Sequence, residues 1–176
     1  MKDVSHSGSQ TIEAGGASAA GARFALVVSK YHDAVTLRLE RGALAALQAK
    51  GVPPSHATVI RVPGAFEIPT AARYAAETGQ YDAIVCLGCL VRGATPHFDF
   101  IAAAVANGLT CAAGETGVPM TFGVLTTNSI EEALERAGDG PSNKGWEAAI
   151  AAIEMADVAA QLARVASAPW IALTSM

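Results

Sequence analysis

"AIVCLGCLVRGATPHFDFIA", Ala83 to Ala102, changes character part-way along. Its first half is a continuous apolar run rich in β-branched residues, the pattern of a strand buried on both faces. The run stops at Arg92. Thr95-Pro96 then has the grammar of a helix start, with Thr95 as N-cap, Pro96 at the first helical position, and a helix to about Ala113. The same unit recurs along the chain. "RFALVVS" (Arg23 to Ser29) reads as a strand, followed by the helix "DAVTLRLERGALAALQAKG", capped by Asp33 and ended by Gly51. "ATVIRV" is a second strand, with a helix near Glu67 to Thr78; "YDAIVCLG" is the third. "MTFGVLT" is the fourth, followed by "SIEEALERAG" and the long helix "WEAAIAAIEMADVAAQLARVA". Parallel neighbours need crossovers, so strict alternation predicts a single α/β domain. Its expected form is a three-layer αβα sandwich with a four-stranded parallel sheet.

The bulk numbers bound the function. The chain has 176 residues, a net charge of −4 and 51% hydrophobic residues, which fits one domain with a sizeable core. Its expected limits are 21–166, with a flexible N-terminal arm over 1–20 and a tail over 167–176. Mild acidity without a Lys/Arg cluster argues against nucleic acid and anionic membranes as main partners. No stretch is apolar enough to span a bilayer; the segment Glu147 to Val165 is broken by Glu154, Asp157, Gln161 and Arg164. The opening "MKDVSHSGSQTIEAGGASAA" lacks the apolar centre of a signal peptide, which points to a cytoplasmic protein. Cys86 and Cys89 have C-x-x-C spacing, but residues three apart in a strand point to opposite faces. They are expected to be buried structural thiols, neither a redox pair nor metal ligands, and no metal site is expected.

Ligands of open parallel sheets bind beyond the carboxyl ends of the strands. The four corners there are "SKYHD", "PGAFE", "LVRGATPH" and "TNS". Gly93 lets backbone approach a ligand, and the amides opening the next helix form an anion site. Arg92 either joins that site or pairs with a carboxylate. His97, on the first turn, faces a helix dipole that disfavours imidazolium, which suits a proton shuttle beside a bound anion. The plainer reading is a surface histidine bonded to Asp99. Glu67 either complements its helix dipole or accepts hydrogen bonds from a polyhydroxyl ligand. Tyr31 either stacks on a planar ring or packs half-buried. Arg136 and Lys144, in "ERAGDGPSNKGW", taken alone are solvated charges. The Lys-Ser/Thr pair of a Walker loop and a G-x-G-x-x-G run are both missing, so the common nucleotide-binding enzymes are disfavoured.

Together, "VPGAFEIP", "RGATPHFDFIA", "ERAG" and "NKGWEAAIAAIEMA" resemble the 6,7-dimethyl-8-ribityllumazine synthase family, over about Ile12 to Leu162. The resemblance implies a flavodoxin-like fold and a transferase of riboflavin biosynthesis. The implied reaction condenses 5-amino-6-(D-ribitylamino)uracil with 3,4-dihydroxy-2-butanone 4-phosphate, releasing phosphate and water without a cofactor. By position, Tyr31 would stack on the pyrimidine; Ala65, Phe66 and Glu67 would hold the ribityl chain; Cys89, Leu90 and Val91 would lie along the pyrimidine. Ala94 and Thr95 would bind phosphate, and His97 would transfer protons. Phe122 and Arg136 would reach a neighbouring subunit's site, Arg136 to the phosphate, with Lys144 near the uracil. The implied partners are further copies, as homopentamers or sixty-subunit capsids with shared sites, and riboflavin synthase. The uninterrupted spacing from Arg136 to Lys144 leans toward the capsid, against which Pro141 stands. The stretch near Ile12 would add a strand to a neighbour's sheet. Tyr31 departs from the commoner Phe or Trp, His32 from the commoner Asn, and "DGPS" (Asp139 to Ser142) from Thr-Lys-x-Gly. A non-catalytic flavin- or lumazine-binding or cage-forming protein is the alternative. It is disfavoured because Glu67, His97, Arg136 and Lys144 occur together.

Overall fold

A computed structural model describes residues 11–14 and 19–167. Most of the expected N-terminal arm, and the tail after 167, lie outside the described residues. The four strands are β1 (Phe24–Ser29), β2 (Ala57–Val62), β3 (Ala83–Val91) and β4 (Met120–Thr127). The helices are α1 (Asp33–Ala49), α2 (Ile68–Glu77), α3 (His97–Thr116), α4 (Ile130–Arg136) and α5 (Lys144–Ser167). All strand pairs are parallel, in the order β2-β1-β3-β4. The expected α/β architecture is therefore the observed one.

Alternation along the strands divides the core. Phe24, Leu26, Val28, Val85, Leu87 and Cys89 point toward α1, α4 and α5. Ala25, Val27, Ile84, Cys86 and Val124 point toward α2 and α3. β1 and most of β3 are buried on both faces, as their continuous apolar runs require. Burying each large aliphatic or aromatic side chain contributes about 1.5–3 kcal/mol, and the central strands supply most of them.

Cys86 and Cys89 lie in different core layers, as period-two alternation demands. Burial pushes the Cys89 thiol up to about 11 and raises that of Cys86 further. Cys111 is exposed on α3. An aromatic disulfide reagent at pH 8 should therefore titrate at most one thiol per folded chain, and all three after denaturation. Fast reaction of two or more in the folded protein would contradict the burial of this pair.

Two helix starts differ from expectation. Asp33 is not the N-cap of α1; His32 holds that position in a left-handed conformation, φ 59° and ψ 51°. Its carbonyl accepts from the amides of Val35 (2.9 Å) and Thr36 (3.0 Å), which places Asp33 inside the first turn. Thr95 is likewise not the N-cap of α3. Pro96 is, and its carbonyl accepts from the Asp99 amide at 3.0 Å, so the helix begins at His97. The proline ring holds φ at −70°, and the turn closes one residue later than the sequence grammar suggests. At its far end α3 runs past Ala113 to Thr116, where Gly117 takes φ 71°.

Candidate functional site

The corners after β1, β2 and β3 converge around a cavity of about 650 Å³. Tyr31 and His32 come from the β1 corner; Gly64, Ala65 and Phe66 come from the β2 corner. Cys89, Leu90 and Val91, the last residues of β3, form its floor. Thr95 and His97 close it from the start of α3. Two of its aromatic lining residues are open: Tyr31 is 66% exposed and Phe66 57%.

Extended backbone at Gly64 and a single 3-10 turn over Ala65–Glu67 set the β2 corner. The Glu67 carboxylate reaches back to accept from the Gly64 amide at 2.9 Å. That bond uses part of its acceptor capacity and fixes the loop, while the exposed carboxylate remains open to further donors. Glu67 stands beside the cavity lining rather than in it.

At the β3 corner, Arg92 takes the carboxylate-pairing role. Its guanidinium donates to both oxygens of Asp99, at 3.0 and 2.9 Å. Its Cζ lies 4.3 Å from the centre of the Phe98 ring. Asp99 holds Arg92 more firmly in its charged form. This fork spans the loop and ties the first turn of α3 to the end of β3, with the Arg92 amide donating to Thr127 at 2.9 Å. Among the described residues Asp99 bonds Arg92 and no hydrogen bond joins it to His97, so the plain reading of His97 as the partner of Asp99 does not hold. The amides of Gly93, Ala94 and Thr95 donate to no other group among the described residues. Gly93 and Thr95 line the cavity and Ala94 stands between them outside its lining, next to the positive end of α3.

A second hollow, of about 390 Å³, lies along edge strand β4 and shares no lining residue with the first. Phe122, Arg136 and Lys144 line it. Phe122 is paired in register with Cys86, three residues before the cavity's Cys89, or about 10 Å down the sheet. Arg136 donates to the carbonyl of Glu132 at 3.0 Å, and Lys144 pairs with Glu147 at 2.7 Å. One chain thus gathers the residues of the first three corners and leaves these three apart.

The 6,7-dimethyl-8-ribityllumazine synthase family profile matches residues 21–160. A 6,7-dimethyl-8-ribityllumazine synthase from Syntrophus aciditrophicus is 47% identical over 152 residues, covering 86% of this chain and 99% of that protein. One from Chlorobium luteolum is 49% identical over 144 residues, 82% of this chain and 93% of its own. One from Desulfosudis oleivorans is 48% identical over 143 residues, 81% and 91% respectively. The chain belongs to this family. It is an enzyme of lumazine synthesis, and its cavity lies at the carboxyl edge of the sheet, the edge at which open parallel sheets generally bind ligands.

Within a lumazine synthase, several residues of this chain carry roles that their sequence context does not announce. The Arg92–Asp99 fork was one of two open readings. Asn143, 2% exposed, had no signal beyond its place in "SNKG". Its amide nitrogen donates to the Gly138 carbonyl at 2.7 Å and its oxygen accepts from the Gly145 amide at 2.8 Å, fixing the entry to α5 beside Lys144. Phe98 and Ile101 add apolar lining on the α3 side. No helix among the described residues is long and apolar enough to cross a membrane.

Proposed function

We propose that the cavity binds 5-amino-6-(D-ribitylamino)uracil with its ring against Tyr31 and its ribityl chain along Ala65, Phe66 and the open side of Glu67. Leu90 and the neighbouring β3 backbone of Cys89 and Val91 border the ring. The phosphate of 3,4-dihydroxy-2-butanone 4-phosphate sits on the amides of Ala94 and Thr95. The observation that carries this reading is the unspent amides of Gly93 and Thr95 beside His97, in one cavity that also holds an exposed tyrosine. A phosphate placed there becomes a leaving group next to an imidazole.

The substrate amine attacks the ketone, and water departs to form an imine. The phosphate then leaves with the C–O electron pair, and closure of the second ring expels a further water. His97 relays protons in these steps, and orientation of the two substrates supplies most of the acceleration. His97→Ala should lower kcat by about 10²-fold, the lower end of the range for a positioned acid–base group. The assay follows lumazine fluorescence at saturating substrates against a protein-free control. Full turnover in that variant would remove His97 from proton transfer.

The active form is an oligomer in which the Phe122, Arg136 and Lys144 hollow of one copy completes the cavity of its neighbour. Exposed aromatic side chains support this reading. Besides Tyr31 and Phe66, Phe122 on the edge strand is 47% exposed and Phe100 on α3 is 72% exposed. Arg136 then meets the phosphate, and Lys144 lies near the uracil. A homopentamer or a larger capsid both fit the exposed faces, and a cytoplasmic setting fits the buried, unpaired Cys86 and Cys89.

A further inference from the structure

His32 has φ 59° and ψ 51°, the one non-glycine residue with positive φ among the described residues. Glycine serves such a position at least steric cost, and histidine is only moderately tolerated there. The strain sits at a cavity wall, where an observed backbone outlier points to a role for the side chain. That side chain has a definite contact. The rings of Tyr31 and His32 lie with centroids 4.6 Å apart and planes at 71°, edge against face. Consecutive residues of a continuing strand would point to opposite sides. At this corner the extended path ends, and both residues line one cavity with their rings in contact.

The corner is held independently of the histidine ring. The Lys30 amide donates to the Val62 carbonyl at 2.8 Å, and the Tyr31 amide to the Ser29 hydroxyl at 3.2 Å. The His32 carbonyl, not its imidazole, opens α1. The imidazole is therefore spare as far as the backbone is concerned, while Tyr31 without it would be a mostly exposed side chain free to change rotamer. We infer that His32 is a positioning residue, whose ring braces Tyr31 as the stacking wall for the heterocyclic substrate and so sets affinity for that substrate alone. This rests on the proposed placement of the pyrimidine against Tyr31.

The test compares His32→Gly and His32→Asn, which accept the left-handed backbone without an aromatic ring, with His32→Phe, which restores one. Two readouts are used: steady-state kinetics with each substrate varied, and calorimetric titration of the folded protein with ribitylaminouracil alone. Loss of an edge-to-face partner should raise KM and Kd for ribitylaminouracil about three- to ten-fold. The KM for the butanone phosphate and kcat should stay within two-fold, and His32→Phe should recover most of the affinity. Unchanged affinity in Gly and Asn variants that melt as the parent does would overturn the inference, as would an equal loss for both substrates. Should the parent protein itself show no saturable binding of ribitylaminouracil, the proposed substrate placement fails first, and the inference with it.

Discussion

Gly145→Ala should destabilise the fold by roughly 3–5 kcal/mol, the upper range for a single substitution. A Cβ at this position would fall 2.6 Å from the carbonyl carbon of Leu39 and 2.8 Å from its Cα, and closer still to its carbonyl oxygen. These are backbone atoms in the middle of α1, so no rotamer change relieves the clash. α5 must move away from α1, and the layer it covers contains Leu39, Ala43, Ala149 and Ala152, all fully buried. Small residues let these helices approach closely, and a gap between them forfeits dispersion along the contact. Asn143 is drawn in as well. Its oxygen accepts from the amides of Gly145 (2.8 Å) and Trp146 (3.3 Å), and these bonds lengthen if α5 shifts. For a chain of this length the loss corresponds to roughly 6–20 °C in Tm, read by thermal unfolding. A shift below 2 °C would mean that the helices are less tightly apposed than the structure shows.

The central layer was legible in the sequence because strands buried on both faces must be continuous apolar runs, and these are separated here by unmistakable polar corners. Element types survive any local detail of that kind. Helix starts do not. Asp33 and Thr95 are good capping residues in isolation, yet the turn into α1 takes a left-handed residue at His32, and Pro96, whose φ suits a helix, takes ψ 3° and becomes the cap itself. Neither constraint is visible before the strands are placed. The site shows the same division. Tyr31, Phe66, Leu90 and His97 could be gathered from one rule, that strand ends converge. The partners of Arg92 and Glu67 could not, since a carboxylate seven residues on and an amide three residues back compete with ligand roles on equal terms. Phe122 is a harder case. Alternation assigns it to a face, but only the strand order makes β4 an edge, and only an edge leaves that ring uncovered.

Arg136→Ala should lower kcat/KM for the butanone phosphate by about 10²–10³-fold while leaving KM for ribitylaminouracil within a few-fold, if Arg136 meets a phosphate largely removed from water. Loss of one partner of such a charge pair costs about 2–5 kcal/mol. Among the described residues of the single chain the guanidinium has only the Glu132 carbonyl of its own helix, at 3.0 Å, so removing it breaks no tertiary ion pair there and the fold should persist. Arg136 and His97 line different hollows of one chain. A site shared between copies therefore predicts complementation. Purified Arg136→Ala and His97→Ala proteins, unfolded together and reassembled, should recover activity, because some interfaces then carry an intact His97 cavity and an intact Arg136 hollow. With random assembly one interface in four is of that kind, so recovery should approach about a quarter of the unmutated rate. Recovery to that level places the two residues on opposite sides of one interface. No recovery from reassembled oligomers of normal size would place both residues in the same copy's site, and α4 would have to move to bring Arg136 to the phosphate.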